Sequence, residues 1–156
     1  MACEPAVDCG NPDGMNEKPK RNFMMKPDQE VPFAALMGIK TTHVSPERVT
    51  AELLVTENLT NRNGVMHGGA LMAFADNLGG TAATANLPAT GGSTATIESK
   101  TNFFAGIPQG DVAKAECTPL HRGRTTTVWQ TRITRGDGKL AAIVTQTQLM
   151  MQKPAS

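Results

Sequence analysis

Within Ile39 to Thr56, the residues Val49, Ala51, Leu53 and Val55 alternate with Thr50, Glu52, Leu54 and Thr56, the period-two pattern of a half-buried strand. Ser45-Pro46-Glu47 offers a turn, so the stretch reads as one strand or as a hairpin. Beyond a break at Pro88 to Gly92, four strand-like stretches follow, at about Ser93 to Phe104, Asp111 to His121, Thr125 to Arg135 and Leu140 to Gln152. The breaks at Arg122-Gly123-Arg124 and Gly136-Asp137-Gly138 are of hairpin length, which predicts an antiparallel meander for the last three strands.

Two segments leave this pattern. Val31 to Met37 predicts a short helix, with Pro32 in its first turn and Gly38 at its end. From about Gly68 to Ala85 the chain is rich in Ala and Gly on nearly all sides, and a helix without a broad polar face is usually buried. One long helix and a run of strands give an α+β fold, a single antiparallel sheet that must curl around that helix to cover its own apolar face. Residues 1–30 are crowded with Pro, Gly, Asn, Asp and Lys and lack apolar periodicity. They read as a flexible leader ahead of one domain spanning residues 31–156.

Composition narrows the partners. Fifteen Lys and Arg against 14 Asp and Glu leave no net field to draw the chain to nucleic acid or to an anionic membrane. No apolar run nears the roughly 20 residues that cross a bilayer, and the leader has no signal-peptide core, so a soluble, cytoplasmic protein is expected. Cys3, Cys9 and Cys117 are odd in number, have no CxxC spacing and too few nearby histidines for zinc, which points to reduced thiols and no metal.

Against this background Asp76 stands out. It lies in the middle of the small-residue helix, and its face carries Gly69, Met72, Ala73, Gly79, Gly80 and Ala83, with no Lys or Arg three or four residues away to pair with it. Two readings fit: a structural aspartate satisfied by backbone amides or a strand hydroxyl, or an acid with room for a ligand beside it. The helix opens on His67-Gly68-Gly69, where free N–H groups and the positive dipole end suit a developing oxyanion. Gly68 and Asp76 are eight residues apart, so they lie roughly 12 Å apart along one helix. They cannot act on one carbonyl within one chain, and a two-fold dimer that sets Gly68 of one copy against Asp76 of the other resolves this.

Asn61-Arg62-Asn63-Gly64-Val65-Met66-His67-Gly68-Gly69, with Asp76 nine residues after His67, resembles the motif of the hotdog-fold acyl-CoA thioesterases. Within them it is similar to the branch of phenylacetyl-CoA thioesterase and acyl-CoA thioesterase 13. The resemblance runs from about Phe33 to Met151 and implies a hotdog fold, hydrolysis of an acyl- or aryl-CoA thioester, and no cofactor, coenzyme A being part of the substrate. It also implies a homo-oligomer with a dimer as its minimal unit, as in a tetramer of two dimers.

By the same resemblance Asp76 is the nucleophile or general base, the Gly68 N–H polarises the thioester carbonyl, and Asn61 orients the carbonyl or the water. His67 either contacts substrate or shapes the loop entering the helix. On the strand from Ser93, where Thr94, Thr96, Glu98 and Lys100 are expected on one face, Thr96 matches a serine that holds the attacking water in some relatives, or is an ordinary strand threonine. Some relatives carry a hydroxyl where this chain has Gly80. The turn Arg122-Gly123-Arg124 would clamp phosphate near the nucleotide of coenzyme A, or is simply solvated, with Lys100 and Arg62 as weaker candidates. Leu71, Met72, Phe74, Phe103 and Phe104 are candidates for the acyl pocket.

Two other functions compete. A hydratase or dehydratase of the same fold would pair a catalytic His with an Asp, and His67 and Asp76 are too far apart on one helix for that. A non-catalytic acyl-CoA binding or regulatory module would not need the acid.

Overall fold

In the computed structural model of the protein, residues 31–89 and 91–152 are described. The leader expected over residues 1–30, with Cys3 and Cys9, lies outside them. Helix α1 (Pro32–Met37) begins with its proline and ends where Gly38, at φ 78°, turns left-handed and donates its N–H to Ala35, a conformation glycine adopts without steric cost. Of the two readings of this stretch, the hairpin is the one found: strands β1 (Ile39–Val44) and β2 (Val49–Leu54) pair, closed by Ser45 and Arg48. Helix α2 runs from Gly68 to Ala85, followed by β3 (Gly92–Phe103), β4 (Val112–Arg122), β5 (Thr126–Thr134) and β6 (Leu140–Gln152).

All six strands join one antiparallel sheet in the order β1-β2-β4-β5-β6-β3. The meander β4-β5-β6 is its centre, and β3, the first strand after the helix, becomes an edge. Alternation sorts the two faces: Val49, Ala51 and Leu53 of β2, Ala113, Ala115 and Cys117 of β4, Trp129 and Ile133 of β5, and Ala142 and Val144 of β6 are buried. They meet Leu71, Phe74, Ala75, Leu78, Ala82 and Ala83 of α2, whose small side chains let the curled sheet approach closely. Trp129, fully buried, donates its indole N–H to Thr127 Oγ1 at 2.8 Å.

The helix is enclosed on one side only. Met72 and Asp76 face outward and are exposed, so the sheet of a single chain does not cover the whole apolar helix as its composition suggests. A second departure lies in β3, where a bulge between Thr96 and Glu98 interrupts the alternation. Thr96 stays opposite Gln148 on the inner face, while Glu98 falls opposite Thr147 and accepts its hydroxyl at 3.0 Å. The four residues expected on one face are therefore split, Thr94 and Thr96 inward, Glu98 and Lys100 outward, as a single extra residue in a strand requires.

Burial pushes the Cys117 thiol from 9.0 up to about 11. The unfolded chain ionises first as pH rises, so the stability held in the neutral thiol is fully present below about pH 9 and is lost toward pH 11, about 2–3 kcal/mol in all. In urea unfolding, the wild-type chain should lose that much more stability between pH 8 and pH 11 than Cys117→Ala. Equal losses in both chains would refute it.

Candidate active site

The entry to α2 is built by His67. It holds an extended conformation at φ −63° and ψ 136°, and its Nδ1 accepts the Gly69 N–H at 2.9 Å as the cap of the helix. This bond shapes the loop that enters the helix, and the residue is exposed. Removing the cap with His67→Ala should lower stability by about 1 kcal/mol, and His67→Asn, which keeps an acceptor there, should restore most of it. Urea melts of the two variants check this, and equal stability of all three chains would contradict it.

With Gly69 capped, the Gly68 N–H one position earlier remains a first-turn donor without an intrahelical acceptor. Gly68 lines a cleft of about 370 Å³ together with Asn61, Leu71, Phe103, Phe104 and Gly106. A Cβ on Gly68 would come to 3.3 Å from the Phe103 ring, so glycine keeps backbone and ring close. Asn61 Oδ1 accepts the Asn63 N–H at 2.9 Å, which fixes the loop and leaves the side-chain NH₂ as the group it can offer to the cleft. Leu71 and Phe74 belong to the core, whereas Phe103 and Phe104 are more than half exposed at its mouth.

Asp76 sits two turns further along α2, with partners of its own. Its Oδ1 accepts the Thr96 hydroxyl at 2.8 Å and the Gln146 amide at 2.7 Å. Gln148 in turn donates to Thr96 Oγ1 at 2.8 Å. Both glutamines are buried, at 0% and 1% exposure, although Asp76 itself is open. Among the described residues no hydrogen bond ends on Asp76 Oδ2. A basic oxygen held in place beside an open face can accept a proton or attack a carbonyl.

The structure thus brings Thr96 to Asp76, and Asn61 and His67 to Gly68, but keeps the two groups apart. The arginine turn is a third location. Arg122 lies 3.7 Å from Glu47 and 3.4 Å from Asn86 Oδ1, the residue that caps the far end of α2. Arg124 is exposed at the tip, and Arg62, in the loop before α2, and Lys100, on β3, are exposed elsewhere. Among the described residues no three His, Cys, Asp or Glu side chains gather to hold a metal ion.

Gln146 and Gln148 escaped the sequence reading, although a signal existed. They continue the inward register of Ala142 and Val144, so two amides stand where β6 should present apolar side chains. The reason for Gly79 was equally hidden: a Cβ there would overlap Gln146 Oε1.

Comparison with known proteins places the chain in a family. Residues 63–142 match the model of the thioesterase superfamily. A candidate esterase of Mycobacterium tuberculosis is 33% identical over 114 residues, 72% of this chain and 81% of the relative. Its structure superposes with a TM-score of 0.76 at 29% identity, over 80% of this chain and 100% of that one. A variant thioesterase of Pseudomonas aeruginosa superposes at 0.73 with 28% identity, over 78% and 86% of the two chains. A hypothetical thioesterase of Streptococcus pneumoniae, solved with coenzyme A, shares the fold at 0.68 and 23% identity, over 75% and 88%. The chain belongs to the thioesterase superfamily, as a hotdog-fold thioester hydrolase.

Proposed function

We propose that the protein hydrolyses acyl- or aryl-CoA thioesters at a site shared by two copies of the chain. The observation that carries this reading is the division of the chemistry along α2: an acid with its positioning partners at Asp76, and an amide-lined cleft at Gly68, roughly 12 Å apart on one helix. Each is half of a hydrolytic site. The edge strand β3 supports the pairing, since among the described residues no strand pairs with its outer side along its 12 residues, and it exposes Ile97 and Phe103. A long edge with free backbone groups invites another chain. Thr96 lies on that strand and touches Asp76, so a copy docked there would bring its own helix N-terminus toward the acid. A tetramer would join two such dimers.

In the shared site the Gly68 N–H of one copy polarises the thioester carbonyl, and the Asn61 amide donates to the same oxygen. Asp76 Oδ2 of the other copy takes a proton from water as its oxygen bonds to the carbonyl carbon. Collapse of the tetrahedral intermediate breaks the C–S bond, and the thiolate leaves as coenzyme A with the proton returned by Asp76. Gly80, with nothing within 4 Å of a Cβ built on it, leaves room for that water beside the acid. Thr96 spends its proton on Asp76 and can still accept a hydrogen bond from the water. Coenzyme A as the carrier is supported by the streptococcal relative solved with it, and Arg122, Gly123 and Arg124 would meet its phosphates.

The test is release of free thiol from acetyl-, hexanoyl-, palmitoyl- and phenylacetyl-CoA. Turnover of at least one is expected. Binding of these thioesters without thiol release from any of them would replace this reading with that of a non-catalytic binding module.

A further inference from the structure

We propose that Gln146 is a positioning residue of the reaction, seated by the space that Gly79 leaves, and that it holds Asp76 by Oδ1 so that Oδ2 is the atom that acts. This rests on the reading of Asp76 as the catalytic carboxylate. The first observation is an imbalance. The Gln146 amide is fully buried and donates to Asp76 at 2.7 Å, yet its Oε1 is buried with no hydrogen-bond donor among the described residues. A buried acceptor left unpaired destabilises a fold, whereas an apolar side chain of similar size would not. Ala142 and Val144, its neighbours on the same face of β6, are apolar. The core alone would select an apolar residue at position 146.

The second observation lies across from it on α2. Gly79 is buried in a helix interior, where glycine is a poor helix former, and a Cβ there would overlap Gln146 Oε1. Two locally unfavourable choices, on elements far apart in the sequence, therefore meet at one point. They make joint sense only if the amide must reach past the helix to the acid one turn before Gly79. The third observation is convergence: Thr96, oriented by Gln148, donates to the same oxygen from β3. Two donors from two strands fix both the direction and the plane of an otherwise exposed carboxylate. Catalytic groups act well only when held to within about 0.5 Å of the productive geometry.

A residue kept for the fold and a residue kept for the reaction predict opposite signs. With the panel thioester hydrolysed fastest, Gln146→Val and Gln146→Met should lower kcat by about 10- to 100-fold with KM within about twofold of wild type. Their thermal midpoints should be unchanged or higher. Gly79→Ala should lower kcat about 10-fold by displacing the amide, but should have less than about a twofold effect in the Gln146→Val background, where nothing remains to displace. Should Gln146→Val fail to fold, Gln146→Met and Gly79→Ala carry the same kcat and KM readout.

Asp76→Asn, measured alongside, separates the role of Gln146 from that of Asp76. If it is inactive while the Gln146 variants keep wild-type kcat, or lose activity through KM alone, the role of Gln146 is overturned and that of Asp76 stands. If Asp76→Asn is fully active, the reading of Asp76 fails and the role of Gln146 falls with it.

Discussion

Asp76→Asn should lower kcat by about a hundred- to ten-thousand-fold while leaving the fold intact. The substitution is sharper than deletion because the amide keeps one oxygen. That oxygen can accept from Thr96 and Gln146, as Oδ1 does now at 2.8 and 2.7 Å, so the network survives. What changes is the other atom: an NH₂ replaces Oδ2, and it can neither take a proton from water nor attack a carbonyl. Stability should move by less than about 1 kcal/mol, because the side chain is exposed and Asp and Asn have similar helix propensity. Steady-state kinetics with circular dichroism melts check both parts. Full activity in a folded Asp76→Asn would remove the acid from the mechanism. Single turnover of the wild-type enzyme in ¹⁸O-water tests the activation of water by the acid, since label found in the Asp76 carboxylate would mean direct attack on the thioester instead.

Much of this was legible in the chain because it depends on local pattern. Helix α2 runs from Gly68 to Ala85 as its composition predicts, and the hairpin breaks fall at the expected glycines. The spacing between Gly68 and Asp76 already sets them roughly 12 Å apart along one helix. What was not legible depends on residues distant in sequence. Gln146 reaches Asp76 across 70 positions, and only the pairing of β6 with β3 and its packing on α2 reveal that contact. The bulge in β3 is similarly invisible, because Thr94, Thr96, Glu98 and Lys100 alternate perfectly on paper. One extra residue in the ladder then turns Glu98 away from Thr96. The exposure of Asp76 was unexpected for a different reason: the helix has the composition of a buried one, and a single chain covers only one side of it.

Chains that are each inactive should recover activity when mixed, if the Asp76 and Gly68 halves come from different copies. Asp76→Asn supplies one partner and Gly68→Pro the other. Proline suits this purpose, since Gly68 is the first residue of α2, where proline is favoured and the N–H has no helical acceptor. His67 before it is already extended, at φ −63° and ψ 136°, as a residue preceding proline must be. The added carbons press on the outer end of the Phe103 ring, which is 55% exposed and free to shift. Gly68→Pro thus removes one hydrogen-bond donor from the proposed oxyanion site with little else, and should cost about a hundred- to a thousand-fold in kcat. Each variant alone forms dimers with two damaged sites. When the two are refolded together, a mixed dimer concentrates both substitutions in one site and leaves the other intact. Half of the dimers are mixed after random pairing, so about a quarter of wild-type activity should return. A site contained in one chain predicts no recovery at all, only the mean of two residual activities, so thiol release from the mixture decides whether two copies of α2 build the site.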